Sequence, residues 1–181
     1  EKKLDDSIIN DIVKKTLKQY ADFMAFKGND IQNLYKPYDG VIDCLVTFMN
    51  SQPVYVVGII TNGESIAQRR KLETLGLKES IHFDYVLVSE DINICKPSEA
   101  IYNKALTLAS ASHKIEKNAM GVEKQLKPEQ CLILEDRVKN TSGADEWLKV
   151  QFLRGRHSNK LPTATDEIPK YGISNFSTLS L

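Results

Sequence analysis

The sequence places adjacent acids directly after an apolar run. The run CLIL, residues 131–134, is followed at once by Glu135 and Asp136. Two carboxylates at the end of a buried strand are costly unless a positive charge lies beside them. Carboxylate oxygens are ligands that Mg²⁺ prefers in proteins. This pair therefore predicts a magnesium site.

Two other polar groups follow predicted strands. Thr61-Asn62-Gly63 comes after a β-branched run, and Lys96 comes after a second apolar run and a loop. A lysine and a metal ion together could neutralise a phosphate. A threonine hydroxyl and the free amides of a turn could bind its oxygens. Because phosphoryl transfer needs little beyond positioning and charge neutralisation, the set is typical of phosphate chemistry.

These groups meet only if the strands before them run parallel. The sequence predicts strands at 54–60, 83–88, 131–134 and 150–153, and helices at 64–75, at 98–108 and from the acids to about residue 148. Such alternation predicts an α/β fold, a Rossmann-like parallel sheet with helices on both faces. Ligands bind beyond the carboxyl ends of the strands in these sheets, so the polar groups should share one edge.

The composition excludes several classes of protein. The chain has 181 residues, 41% hydrophobic and 27% charged, with 24 acidic and 24 basic side chains, so we expect no nucleic-acid partner and no anionic membrane surface. The longest aliphatic-rich run, residues 54–60, is too short to span a bilayer. Three cysteines predict no disulfide framework, and no signal peptide is visible, which together predict a cytoplasmic protein.

The remaining segments are helical or polar. Helices are predicted over 6–24 and 40–50, and residues 109–127 are expected to form a basic surface loop, either mobile or a docking site. Asp84, Glu90 and Asp91 are expected in a solvated loop, with Asp91 near the magnesium site as the alternative.

Three motifs resemble those of the haloacid dehalogenase-like superfamily: IITNG (59–63), KPS (96–98) and LEDRVKNTSGAD (134–145). The resemblance covers roughly residues 35–181 and indicates the subgroup with a helical cap. It implies that residues 1–36 are a remnant of that cap and that 37–181 form the α/β core without its first strand.

The resemblance also implies roles for the polar residues. Thr61 and Lys96 would be catalytic and would bind the phosphoryl group with Asn62 and Gly63. Asp136, with Glu135 beside it, would ligate magnesium. One departure is Arg137, which stands where the family usually has a small hydroxyl residue.

A larger departure is the family's first motif, DxDx[TV], whose leading Asp is the nucleophile. The chain does not contain it, since the nearest text, residues 4–8, has the wrong spacing and reads as a helix cap. We therefore expect the nucleophile to come from an upstream segment, which is either cleaved yet still associated or simply not included in these 181 residues.

The expected function is that of a magnesium-dependent phosphohydrolase. It would act on a small phosphorylated metabolite through an aspartyl-phosphate, and the bare chain would be inactive. The alternative is an inactive relative that keeps the fold for binding or as a scaffold. A response-regulator receiver would place its acids first, and a dinucleotide or P-loop protein would carry GxGxxG or GxxxxGK[ST], which this chain lacks.

Overall fold

A computed structural model describes residues 13–16, 35–115, 125–154, 169 and 171–176. Within these ranges the α-helices are α1 Val41–Met49, α2 Ser65–Thr74, α3 Ser89–Ile92 and α4 Glu99–Ser110. The strands are β1 Gly58–Thr61, β2 Tyr85–Val88, β3 Leu132–Glu135, β4 Leu148–Phe152 and β5 Tyr171–Ile173. Two short 3₁₀ helices cover Pro128–Gln130 and Val138–Thr141.

All strand pairs within the described ranges are parallel. Strand β1 pairs with β2, with Ile60 opposite Leu87, and β4 lies between β3 and β5, with Leu134 opposite Val150. Parallel strands linked by helices confirm the predicted α/β, Rossmann-like fold. None of the helices in the described ranges combines the length and the apolar character that crossing a bilayer requires.

The strands form two separate sheets. Within the described ranges, β1 pairs only with β2, and β3 pairs only with β4. The division falls where the sequence predicted a missing strand, between the strands that end in IITNG and in LED. The domain boundary at residues 36 and 37 stays a prediction, because residues 1–12 and 17–34 lie outside the described ranges.

One core joins the two sheets through helix α4. Its buried side chains are Leu87, Ile101, Tyr102, Ala105, Ile133 and Ala144, which come from both sheets, from α4 and from the turn after β3. The ring of Tyr102 meets the ring of Trp147 edge to face, with centroids 5.7 Å apart. Trp147 is therefore partly buried and packs against this core.

Helix α2 ends as the sequence predicts. Gly76 has φ 72° and follows the last helical turn, and its N–H donates to the Glu73 carbonyl at 2.9 Å. The Leu77 N–H donates to the Leu72 carbonyl, also at 2.9 Å. This pair of bonds is the Schellman arrangement, which needs a left-handed residue that glycine supplies without strain.

The predicted helix after the acids is wrong. The chain there forms only the 3₁₀ turn Val138–Thr141 and then returns to β4. Asn, Thr and Ser at 140–142 are weak helix formers. Gly143 also packs against the loop that carries Lys96, because a Cβ at this position would lie 1.9 Å from the Pro97 carbonyl oxygen. Tertiary packing therefore sets a tight turn instead of a helix.

Other elements differ in extent or were missed. Strand β1 starts at Gly58 and includes Thr61, so it begins later than predicted. Neither α3 nor β5 was predicted, because they are only four and three residues long. Of the predicted helix over 6–24, residues 13–16 are described and are helical, and the rest lies outside the described ranges.

The ends of the predicted surface loop at 109–127 are anchored. Helix α4 continues to Ser110, whose Oγ accepts the Leu126 N–H at 3.0 Å. The Lys114 ammonium pairs with Asp84 at 2.9 Å, and the Asp84 side chain is only 8% exposed. Asp84 also accepts the Val57 N–H at 2.7 Å. The expectation of a solvated Asp84 is therefore wrong, while residues 116–124 lie outside the described ranges.

Candidate active site

Lys96 and Glu135 form the centre of the candidate site. Glu135 is the last residue of β3, and Lys96 lies in the loop between α3 and α4. The Lys96 Nζ contacts the Glu135 Oε2 directly, and the two side chains are 10% and 9% exposed. The structure therefore brings the predicted lysine and one predicted metal ligand into a buried ion pair across the two sheets.

Asn62 fixes the position of the lysine backbone. Its Nδ2 donates to the Lys96 carbonyl at 2.9 Å, and its Oδ1 accepts the Lys96 N–H at 2.8 Å. This paired contact ties the loop of Lys96 to the end of β1, where Thr61 lies. The phosphate-binding role of Asn62 stays a prediction, and the structure adds a second role for its side chain.

The donors around Gly63 are engaged within the protein. The Gly63 N–H donates to the Ser89 Oγ at 2.9 Å, and the Ser65 N–H donates to the Glu90 Oε2 at 2.7 Å. The Glu90 carboxylate of α3 thus caps the start of α2, and the Ser89 hydroxyl holds the loop before it. A phosphate bound through the Gly63 amide would have to displace Ser89, and this predicted role stays untested.

Thr61 bonds to a side chain that lies outside the three motifs. Its Oγ1 donates to the Oε1 of Gln68 at 3.0 Å. Gln68 lies one turn into α2, the helix that directly follows the strand of Thr61. This position in the helix is the one feature of the sequence that could have indicated the contact with Thr61. The indication is weak, because most polar residues in the first turn of a helix face solvent.

The charge of Glu135 is set by opposing effects. Burial raises the pKa of Glu135, but the Lys96 charge and hydrogen bonds from Lys96, Asp136 and the Arg137 backbone outweigh it, and the pKa is lowered. The Arg137 N–H donates to the Glu135 Oε1 at 3.2 Å, while the Arg137 side chain is exposed. Glu135 is therefore a carboxylate at neutral pH.

The donor set at this edge fits magnesium. Asp136 follows Glu135 directly and is half-buried. Across the described ranges, no cluster of three or more His, Cys, Asp or Glu side chains forms a complete metal cage. Magnesium is usually held by one or two carboxylates, with waters and substrate phosphate oxygens completing its shell, so two carboxylates suffice. Asp91, the alternative acid, pairs with Arg69 at 2.8 Å, and its place near the magnesium site stays a prediction.

The chain is similar in sequence to known proteins. The sequence profile of the haloacid dehalogenase-like hydrolases matches residues 2–147. Pyrimidine 5'-nucleotidase YjjG of Escherichia coli is 32% identical over 81 residues, which are 45% of this chain and 34% of the nucleotidase. The chain therefore spans about a third of the length of this relative.

Solved structures share the fold. A dehalogenase determined with an intermediate complex has a TM-score of 0.58 at 20% identity and covers 80% of this chain and 55% of its own. The HAD hydrolase YfnB of Bacillus subtilis, bound to magnesium, has a TM-score of 0.56 at 24% identity, over 78% of this chain and 53% of its own. With its motifs, its parallel sheets and a family match over most of its length, the chain belongs to the haloacid dehalogenase-like hydrolases.

Proposed function

We propose that the protein is a magnesium-dependent phosphohydrolase that acts on a small phosphorylated metabolite. The observation that carries the proposal is the contact network in which Asn62, Lys96 and Glu135 join the carboxyl ends of β1 and β3. It gathers an amine and two adjacent acids, Glu135 and Asp136, at one edge of the fold, and Thr61 is the last residue of β1, directly before Asn62. Phosphoryl transfer requires this combination of positive charge and oxygen ligands.

The roles of the chain's own residues follow from their chemistry. Lys96 binds the phosphoryl oxygens and the nucleophile, and Thr61, Asn62 and Gly63 orient the phosphoryl group. Asp136 and Glu135 hold magnesium, which when bound supplies further charge neutralisation. Because Lys96 already pairs with Glu135, its ammonium is held at the edge before any substrate arrives.

The nucleophile would come from a strand outside these 181 residues. Strands β1 and β3 each offer an edge that no described strand pairs with, and a parallel strand between them would satisfy both edges. An Asp at its carboxyl end would attack phosphorus, the ester P–O bond would break, and water would then hydrolyse the aspartyl-phosphate. The upstream segment, joined or cleaved yet associated, is therefore proposed as a partner of this chain.

A phosphatase assay tests the proposal. The full-length protein is assayed with magnesium against a panel of phosphomonoesters. Pyrimidine nucleoside monophosphates stand first in the panel because the curated relative YjjG is a pyrimidine 5'-nucleotidase. We expect Asp136→Ala to lower kcat/KM by about 10²-fold or more. Asp145→Ala, which removes an exposed acid of the same segment, is the matched control and should be near wild type.

The assay also separates the alternatives. An inactive full-length protein that still binds phosphate with magnesium would favour the binding or scaffold role. Halide release from a halogenated substrate without phosphatase activity would favour a dehalogenase, which is what one structural relative is named. An Asp136→Ala variant as active as wild type would overturn the assignment of the metal site. A cytoplasmic location is part of the same proposal, and fractionation of the source cells tests it.

A further inference from the structure

Gln68 lies across the loop that follows β1. Its Oε1 accepts the Thr61 hydroxyl at 3.0 Å. The Nε2 of the same carboxamide lies over Gly63. A Cβ built on Gly63 would be only 2.6 Å from this nitrogen. Gly63 has φ 135°, a conformation that favours glycine, and its missing side chain leaves the room that this carboxamide occupies. One side chain thus contacts the strand end and covers the loop beside it.

The single hydrogen of the Thr61 hydroxyl cannot be donated to both Gln68 and a ligand. A threonine hydroxyl has one hydrogen and two acceptor lone pairs. In this arrangement the hydrogen of Thr61 is directed at Gln68, so the hydroxyl offers only lone pairs to a ligand. Phosphoryl oxygens are acceptors and need that hydrogen. Thr61 can therefore bind a phosphoryl group only if Gln68 releases the hydrogen.

A carboxamide can do this without leaving its place. Rotation of the Gln68 amide by about 180° exchanges its acceptor for a donor at the same position. The Nε2 would then donate to the Thr61 Oγ1, and the Thr61 hydrogen would be directed at the ligand. Nearby backbone donors at Gly63 and Ser65 are bonded to Ser89 and Glu90, which raises the value of the Thr61 hydrogen.

We propose that Gln68 is a positioning residue that reverses its hydrogen bond to Thr61 when a phosphoryl group binds. Its carboxamide accepts the hydroxyl hydrogen in the free protein and donates to the hydroxyl oxygen in the complex. The inference rests on the proposed phosphohydrolase function and names a residue that the motifs do not include.

Two substitutions of similar size separate this role from simple packing. Gln68→Glu keeps the shape but can only accept, so it retains the Thr61 hydrogen. Gln68→Met keeps the length and makes no strong hydrogen bond, so it releases the hydrogen without orienting it. The probe is inorganic phosphate with magnesium, titrated calorimetrically into the full-length protein. We expect Gln68→Glu to weaken binding by about tenfold to a hundredfold, as for a hydrogen bond to a charged group, and Gln68→Met by only a few-fold.

The added negative charge of Gln68→Glu needs its own control. Ile66→Glu places the same charge in the first turn of α2, on a side chain that is 60% exposed. A second control repeats both Gln68 substitutions in a Thr61→Val background, where no hydroxyl remains. In the Thr61→Val background, the difference in phosphate affinity between Gln68→Glu and Gln68→Met should shrink to the size of the Ile66→Glu effect. In a Thr61→Ser background, which keeps a hydroxyl, the full difference should return.

The outcomes distinguish this inference from the proposed function. If Thr61→Val weakens phosphate binding while Gln68→Glu and Gln68→Met act alike, the positioning role is overturned and the phosphate site stands. The positioning role is also overturned if Gln68→Glu and Gln68→Met differ in phosphate affinity by the same factor whether residue 61 is Thr or Val. If neither Thr61→Val nor any Gln68 variant alters phosphate binding, the phosphate site itself is overturned. A shift of the Gln68 side-chain amide NMR signal on adding phosphate supports the reversal, and an unmoved signal contradicts it.

Discussion

Lys96 and Glu135 depend on each other because both side chains are almost excluded from water. Burial of a lone carboxylate or ammonium is costly, and here each charge offsets the other. The contact also explains how the chain can hold an acidic pair at the end of a buried strand. The cation that the sequence required beside Glu135 is Lys96, which is 39 residues away along the chain.

Removal of Lys96 should expose this dependence. Lys96→Met leaves Glu135 buried without its cation, and we expect a loss of about 3 kcal/mol in the free energy of unfolding at pH 7. The double variant Lys96→Met with Glu135→Gln should recover part of the loss, because no buried charge remains. Denaturant unfolding in the presence of a chelator measures all variants. Equal stability of the single and double variants would contradict the prediction.

The same variants should differ in their dependence on pH. The lowered pKa of Glu135 means that its contribution in wild type is present above the ordinary carboxyl pKa, and is lost as pH falls through the folded value. In Lys96→Met the charge and hydrogen bond of Lys96 no longer oppose burial, so the pKa of Glu135 should rise and the destabilisation should lessen on acidification. The difference in the free energy of unfolding between Lys96→Met and the double variant should therefore narrow as pH falls from about 7 toward about 4.

At the scale of elements, the turn after β3 is fixed by contact with the loop between α3 and α4. Gly143 approaches the Pro97 carbonyl oxygen and the Glu99 N so closely that a Cβ would lie 1.9 Å and 2.8 Å from them. These are backbone atoms, which cannot move aside as a side chain can. The packing places the motif that carries the acids against the motif that carries Lys96.

Gly143→Ala should therefore destabilise the protein by about 1–3 kcal/mol through overpacking. Because Pro97 follows Lys96 directly, the substitution should also lower the proposed phosphatase activity. Gly172→Ala is the control, since its Cβ would meet only the Leu153 side chain, at 2.9 Å, which can rotate. Thermal unfolding and the phosphatase assay compare the two. Gly143→Ala with the melting temperature of Gly172→Ala would refute the packing argument.

At the scale of the whole molecule, the described residues join the two sheets through α4 and the site, with no strand pairing between the sheets among them. Segments leading into or lying in the two strands beside the division carry exposed apolar side chains: Val54 and Leu132 are each 48% exposed and Tyr55 is 39% exposed. Strands of a parallel sheet are normally covered on both faces. An additional strand between β1 and β3 would complete the backbone hydrogen bonding of both sheets.

Hydrogen exchange should reveal these open edges. In the 181-residue chain we expect amides of β1 and β3 to exchange faster than those of β4, which has a strand on each side. In the full-length protein they should slow by roughly tenfold or more as the added strand pairs with them. Exchange followed by mass spectrometry measures each segment. If the amides of β1 and β3 exchange at the same rate as those of β4 in both proteins, an added strand between β1 and β3 is contradicted.

The sequence by itself determined the fold class and the order of the chemical groups. Strand periodicity, the end of the helix predicted over 64–75 and the three motifs each depend on residues close in the chain, so local pattern was enough to predict them. The acids, Lys96 and Thr61 were predicted at one edge because the carboxyl ends of parallel strands meet there.

Only the tertiary structure decided the contacts between these groups. Whether Lys96 pairs with Glu135, whether Asn62 holds the lysine backbone and whether Gln68 reaches Thr61 depend on distances between separate elements. The wrong helix after Asp136 has the same cause, since the close approach of Gly143 to Pro97 joins residues far apart in the chain. Local pattern records each residue's own preference, and packing between distant segments overrides it wherever the two conflict.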